Sequence, residues 1–166
     1  MVILKRIFIG ILLIGFAYLA YKVIFPNEKT RINKQLFKLS NLMSKDSNDS
    51  IIGLAQNSGQ FANLFSNPCK VSVREINLDG DYDNKVIKNY YMALRSKVEK
   101  LNVKFMDVKM EILNQSRAHI DLTLKAKGKS KGQDTFSHVE EMFIEFNKNE
   151  GIWKISKIRS VEILIK

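Results

Sequence analysis

The residues best suited to chemistry are a histidine and a glutamate two positions apart, His138 and Glu140, in the segment DTFSHVEEMFIEF. Side chains two apart on a strand project from the same face, and here that face is otherwise apolar. A carboxylate beside an imidazole can act as a general base and its orienting partner, because each changes the proton affinity of the other. A solvated pair at a strand's rim is the simpler explanation, since both residues lie near the start of the segment.

Two tyrosines on a predicted helix, Tyr90 and Tyr91, could supply a hydroxyl to the same site, although core or rim packing is the commoner role of such rings. Met142 follows the histidine and glutamate on the same strand face. Trp153 begins the last strand, where closing one end of the core is its simplest role. The candidate pocket predicted from the sequence therefore consists of His138, Glu140, Tyr90, Tyr91, Met142 and Trp153.

No other part of the chain carries a recognisable catalytic or cofactor-binding motif. Cys69 is the single cysteine, so it cannot form an internal disulfide, and no Cys/His cluster has the spacing of a zinc site. The sequence also lacks a nucleophile elbow and a phosphate-binding glycine loop. We therefore expect no cofactor, no metal and no assigned catalytic residue. Whether the protein is an enzyme stays open, with a non-catalytic role as the leading hypothesis.

The chain is strongly basic, with a formal net charge of +10, which is compatible with nucleic acid, anionic lipid or a solvated lysine-rich surface. From Pro26 onward, 24 Lys/Arg residues stand among 17 Asp/Glu residues. The densest cluster, LKAKGKSKG, contains no aromatic residue for base stacking. Since recognition helices and stacking rings are both missing from the pattern, nucleic-acid binding is not favoured.

The first 25 residues predict a transmembrane signal anchor. The chain from Ile7 to Tyr21 has no charge, and Val23, Ile24 and Phe25 extend the apolar run past Lys22, close to the roughly 20 residues that a spanning helix needs. Pro26 then interrupts the pattern. The residues expected to contact membrane lipid are Ile7, Leu12, Leu13, Phe16 and Tyr21.

A cleaved signal peptide is the alternative, because Lys5 and Arg6 form a basic start while Gly15 and Ala17 form a small-residue cleavage site. That cleavage leaves an unusually short apolar region, so we favour the uncleaved anchor. Basic residues flank the segment on both sides, and their bias does not set its orientation. By analogy with bacterial signal anchors, we expect a single-pass inner-membrane protein whose domain lies on the periplasmic or extracytoplasmic side.

Beyond the anchor, residues 26–166 read as one α+β domain. Apolar residues at helical spacing predict helices over 27–46, 51–65 and 84–101, the first of which carries Ile32, Leu36, Leu39 and Met43 on one face. Alternation predicts a strand over 70–76, and LDGDYD is expected to be a turn. Four long strands follow, with a bulge predicted at Met106 or Asp107 and a hairpin tip marked by Gly128 and Gly132.

This element order, the passage FANLFSNPCKVSV and the ending EEMFIEFNKNEGIWKISKI resemble the nuclear-transport-factor-2-like superfamily. It comprises the cystatin-like cones of transport factors, polyketide cyclases and ketosteroid isomerases. The resemblance covers Glu28 to Leu164 and implies three helices packed on a curved antiparallel sheet, a pocket between them, and dimerisation through the sheet. It also implies that catalysis is optional, since many members have none. The catalytic branches of the superfamily require an aspartate or histidine deep in the pocket. In this sequence, Asp107 and Asp121 lie at the polar positions of their strands' alternation, which argues against a buried base.

Three functional hypotheses follow. The leading one is a membrane-anchored, non-catalytic interaction domain, an accessory or scaffold subunit of a membrane complex, which contacts a protein partner or a second copy through its sheet. The alternative is a small-ligand binder, or a lyase-like or isomerase-like enzyme, that uses the cone pocket. The third is a secretion-system scaffold, because the same fold with an N-terminal membrane helix occurs in periplasmic scaffold proteins of type IV secretion.

Overall fold

The computed structural model describes residues 27–46, 51–132 and 135–161. The chain divides into two compact units, residues 1–31 and 32–166. Of the first unit only residues 27–31 are described. The predicted anchor over residues 1–25, with its five lipid-contacting residues, lies outside the described residues. Within the described ranges, no helix has the length and apolar character needed to cross a membrane.

Three α-helices are present in these ranges: α1 Glu28–Met43, α2 Ile51–Ala62 and α3 Asn84–Lys97. In α1, the predicted apolar face is buried at Ile32, Leu36 and Leu39, and Leu42 rather than Met43 completes it. α3 begins at an N-cap, where the Asp83 side chain accepts a 2.8 Å hydrogen bond from the Val86 N–H and so satisfies a backbone donor that the helix leaves unpaired.

Two predicted helix ends are wrong, because strand pairing overrides the local helical pattern. α3 was expected to continue to residue 101, but Val98 has extended backbone angles and starts the next strand. α2 was expected to reach Phe65, but it ends at Ala62 and Phe65 is already in a strand. Valine and phenylalanine fit a half-buried pleated surface as well as they fit a helix.

Six strands form one sheet: β1 Phe65–Val73, β2 Leu78–Tyr82, β3 Val98–Asn114, β4 Arg117–Ser130, β5 Thr135–Asn149 and β6 Ile152–Ser160. Their order is β2-β1-β6-β5-β4-β3. All neighbours are antiparallel except β1 and β6, which run parallel. The expected wholly antiparallel sheet is therefore wrong at this one pair.

The run LDGDYD, predicted as a turn, is largely the edge strand β2. Leu78 pairs with Val73, and Tyr82 pairs with Cys69 on β1. The reversal comes earlier, in a 3-10 turn over Arg74–Ile76 that ends at Asn77 in the left-handed conformation, with φ 51°. The turn-forming composition is misleading because the backbone hydrogen bonds of the ladder do not depend on side-chain type.

The sheet curves as the sequence predicts. The bulge lies at Asp107, where φ is 52° and the register of β3 against β4 shifts between Met106 and Lys109. A bulge of this kind bends the strand and increases its twist. The core, centred on Ile32, Ile120 and Phe146, lies between the helices and the inner face of this curved sheet.

Candidate functional site: a cavity between the helices and the sheet

A cavity of about 650 Å³ lies between α3 and the inner face of the sheet. A volume of this size is typical of small-molecule sites. Most of the lining side chains are apolar and come from all six strands as well as from the helices. Representative lining residues are Leu39, Phe61, Phe65, Val73, Ile87, Val103, Phe105, Leu122, Leu124, Met142, Ile144 and Ile158.

Strand alternation explains why the lining is apolar. On β4, Leu122 and Leu124 point into the cavity, whereas the intervening Thr123 points to the outer face and bonds to Glu141 on β5. The cavity opens to solvent along a rim, which we define as its lining residues Glu75, Tyr90, Leu94, Phe136, His138 and Glu140. Tyr90 is 49% exposed, Leu94 is 46% exposed and Phe136 is 36% exposed.

A polar cluster lies at this rim. The His138 Nε2 and Glu140 Oε2 atoms are 3.2 Å apart, with side-chain exposures of 50% and 15%. The Glu75 side chain, from the 3-10 turn after β1, also lines the cavity, close enough to Glu140 for its negative charge to act on the Glu140 carboxyl.

The pKa of Glu140 is raised above its ordinary value. Burial is the main cause, because it disfavours the charged form, and the nearby negative charge of Glu75 acts in the same direction. His138 opposes both effects by favouring the carboxylate. A carboxyl group with a raised pKa can hold or release a proton nearer to neutral pH than an exposed glutamate can, which suits general acid or base chemistry.

The helical wall of the cavity carries a second pair of polar residues, Tyr91 and Arg95. The Tyr91 hydroxyl donates to the Leu42 carbonyl at 2.9 Å and accepts from the Arg95 Nε at 3.1 Å. The arginine is only 3% exposed. Because its hydroxyl is engaged in this way, Tyr91 serves to join α1 and α3 and to position Arg95 in the wall.

The structure brings together five of the six residues singled out in the sequence. His138, Glu140, Tyr90, Tyr91 and Met142 all line the cavity. Trp153 does not. It is 2% exposed and belongs to the core, with the Lys148 ammonium 5.6 Å from its ring centroid.

Three charged cavity residues, Glu75, Arg95 and Lys97, were not singled out from the sequence. Glu75 continues the alternation of Val71 and Val73, which both line the cavity, so the period of two was a usable signal. Arg95 lies one helical turn after Tyr91, a spacing at which side chains meet. That spacing alone could not show that the arginine is buried.

Cys69 lacks the properties of a nucleophile. The thiol is fully buried, and burial, with a smaller effect from the Asp81 carboxylate, raises its pKa to about 12. Nucleophilic attack requires the thiolate, which this environment disfavours. Within residues 27–46, 51–132 and 135–161, no group of three or more His, Cys, Asp and Glu side chains could hold a metal ion.

The described residues form helices packed on a curved sheet, an α+β arrangement consistent with the nuclear-transport-factor-2-like fold. No family model and no curated protein matches the chain. Solved structures of the same fold do match.

One is a Novosphingobium aromaticivorans protein provisionally named scytalone dehydratase, with a TM-score of 0.65 and 15% identity over 81% of this chain and 85% of that one. Another is hexachlorocyclohexane dehydrochlorinase LinA-type3 of Novosphingobium barchaimii, with a TM-score of 0.61 and 13% identity over 80% and 84%. A third, from Xanthomonas campestris, is provisionally named a calcium/calmodulin dependent protein kinase II association domain. Its TM-score is 0.63, with 12% identity over 84% and 91%. At these identities the similarity shows the fold alone.

Proposed function

We propose that the domain binds a small, largely apolar molecule in its cone cavity. The observation that carries this proposal is a cavity of about 650 Å³ lined mainly by aliphatic and aromatic side chains. Protein interiors normally pack to the density of organic crystals. Leaving such a volume open forfeits contacts that would stabilise the fold, and a ligand that fills the space restores them.

The polar rim gives the ligand an orientation. An apolar body would lie among Leu122, Leu124 and Phe105, and a polar substituent would reach Glu140 and His138. In a lyase-like or isomerase-like reaction, Glu140 would remove or return a proton, with His138 and Glu75 adjusting its proton affinity. The enzymatic names of two structural neighbours, a dehydratase and a dehydrochlorinase, support this form of the proposal.

Cavity binding is tested by filling the cavity. Leu124→Trp adds bulk on the inner face, and Val139→Trp adds the same side chain at a 55% exposed outer-face position one strand away. The full chain in detergent is incubated with a neutral naphthol, and the retained probe is measured by native mass spectrometry. We expect the wild type and Val139→Trp to retain one probe molecule, and Leu124→Trp to bind at least roughly tenfold more weakly.

Equal retention by all three proteins, or none by the wild type, would refute cavity binding. The acid–base form has its own test. His138→Gln and Glu140→Gln should weaken binding of a naphthol relative to the matching naphthalene, because only the naphthol has a group for the rim to bond. If both variants bind both probes as the wild type does, the rim plays no part in recognition.

A second candidate function is a membrane-anchored interaction subunit that associates through its sheet. Two observations favour it: exposed apolar side chains at Met106, Val108 and Leu113 along the edge strand β3, and the name association domain on one structural neighbour. The uncharged segment from Ile7 to Tyr21 would supply the anchor, with the domain on the extracytoplasmic side. Crosslinking in mild detergent tests it, and a strictly monomeric protein without partners would contradict it.

A further inference from the structure

The outer face of the sheet carries five lysines at one end of two adjacent strands. We call them the lysine band, and they come from β3 and β4. Lys100 lies opposite Lys129, and Lys104 lies opposite Lys125. The fifth, Lys127, lies opposite Asn102. The band therefore concentrates positive charge in one region of the outer face.

The band is short of negative charge. Lys129 forms an ion pair with Glu99 at 3.1 Å, with both side chains about half exposed. Among the described residues, the other four lysines have no carboxylate within ion-pair distance. Like charges directly opposite on neighbouring strands destabilise a sheet. The Lys104–Lys125 pair thus carries a cost that a bound anionic surface would remove.

Apolar side chains border the band on the same face. Val139, 55% exposed, lies directly across from Lys125 on β5, and Met106, 37% exposed, follows Lys104 on β3. Lysines beside a few exposed apolar groups are typical of surfaces that bind anionic lipid, since the ammonium groups reach headgroups while the apolar groups enter the interface.

We propose that the lysine band and its apolar border form the surface by which this domain contacts anionic lipid headgroups. The alternative polyanion is nucleic acid, for which stacking rings are the usual second component. The outward neighbours of the band, Asn102, Ser137 and Val139, include no ring. A lipid surface also agrees with the uncharged N-terminal segment of the chain, which would hold the domain close to a bilayer.

The test measures the accessibility of individual lysines in the full chain reconstituted into vesicles. The vesicles contain phosphatidylcholine alone or with added phosphatidylglycerol. A membrane-impermeant acetylating ester labels exposed amines, and mass spectrometry quantifies each site relative to Lys85, an exposed lysine on α3. We expect several-fold lower labelling of Lys104, Lys125 and Lys127 only with phosphatidylglycerol, reversed by high salt, which screens surface charge.

Equal labelling in both vesicle types would overturn the proposal, and so would protection in phosphatidylcholine alone, because anionic headgroups would then be unnecessary. A parallel sample with single-stranded DNA and neutral vesicles tests whether the band binds nucleic acid instead. Protection by DNA without protection by phosphatidylglycerol would assign the band to nucleic acid instead.

A charge variant sharpens the result. In Lys104→Gln/Lys125→Gln, the remaining Lys127 should lose its protection, since each basic residue near an anionic surface contributes roughly fivefold to association. Lys85→Gln is the matched control and should leave the protection of Lys127 unchanged. If the double variant keeps full protection of Lys127, the band does not cause the contact.

Discussion

The two faces of the same strands serve different purposes. On β4, Ile120, Leu122 and Leu124 point inward to the core and cavity, whereas Asp121 and Lys125 point outward to solvent. The same strand thus lines the apolar cavity on its inner side and forms a charged surface on its outer side. The inner face therefore decides stability and encloses the cavity, while the outer face can change its charge at little cost to the fold.

The largest expected difference between the faces is in stability. Ile120→Ala should lower the free energy of unfolding by about 2–5 kcal/mol, because a fully buried side chain leaves a cavity when it is truncated. Its neighbour Asp121→Ala, exposed on the outer face, should change it by less than about 0.5 kcal/mol. Urea unfolding followed by circular dichroism measures both. Similar losses in the two variants would contradict the division between faces.

A second, intermediate effect is expected at Gly128, where no side chain fits on the inner face. An added Cβ would lie 2.5 Å from the Lys100 carbonyl oxygen and 2.8 Å from a ring carbon of Phe136. Gly128→Ala should therefore destabilise the protein by about 1–3 kcal/mol, the usual cost of overpacking. Lys127→Ala, the adjacent outward position, is the control. A stable Gly128→Ala with an unchanged melting temperature would show that β3 moves aside easily.

The smallest effect is a pH dependence at the cavity rim. Because the folded pKa of Glu140 is raised, the native state binds its proton more tightly than the unfolded state does. This contribution favours folding below about pH 4.3, the ordinary glutamate value, and is lost as pH rises through the raised folded pKa. The glutamine in Glu140→Gln does not ionise, so this variant does not lose stability in this way. Its free energy of unfolding relative to the wild type should therefore increase as pH rises from about 4.3 through the raised pKa of Glu140.

Glu75→Gln provides the control for this pH effect. Removing the neighbouring negative charge should lower the pKa of Glu140 toward its ordinary value, since burial alone would then oppose ionisation. Carbon-13 NMR titration of the glutamate carboxyl carbons measures the pKa directly. A Glu140 pKa that does not change in Glu75→Gln would show that the two carboxyl groups are not coupled.

The sequence predicted the parts of the fold that depend on local periodicity. The α1 face at Ile32, Leu36 and Leu39, the bulge near Asp107 and the shared face of His138 and Glu140 all follow from spacing. Errors occurred where distant pairing decides. β2 forms from a turn-like run because β1 lies beside it, and Val98 leaves the helix because β4 offers it a partner at Ser130.

The candidate site shows the same limit. Alternation placed Glu140 and Met142 on an apolar face, but it could not show that this face encloses an open volume of about 650 Å³ rather than a packed core. It also assigned Trp153 to the pocket, whereas the tertiary structure buries that ring in the core. Whether facing residues meet or leave a space depends on the distance between helices and sheet, which no local pattern encodes.

The sequence by itself determined composition, charge, the uncharged N-terminal segment, the α+β order of elements and the side of each strand that is apolar. Side-chain period and hydrophobicity are local properties, so a linear pattern is enough to give them. Only the tertiary structure decided that Glu75 lies near Glu140 at the cavity, that Arg95 is buried beside it, and that Lys104 faces Lys125. Those contacts join residues from different elements, and their register is set by the packing of the whole sheet.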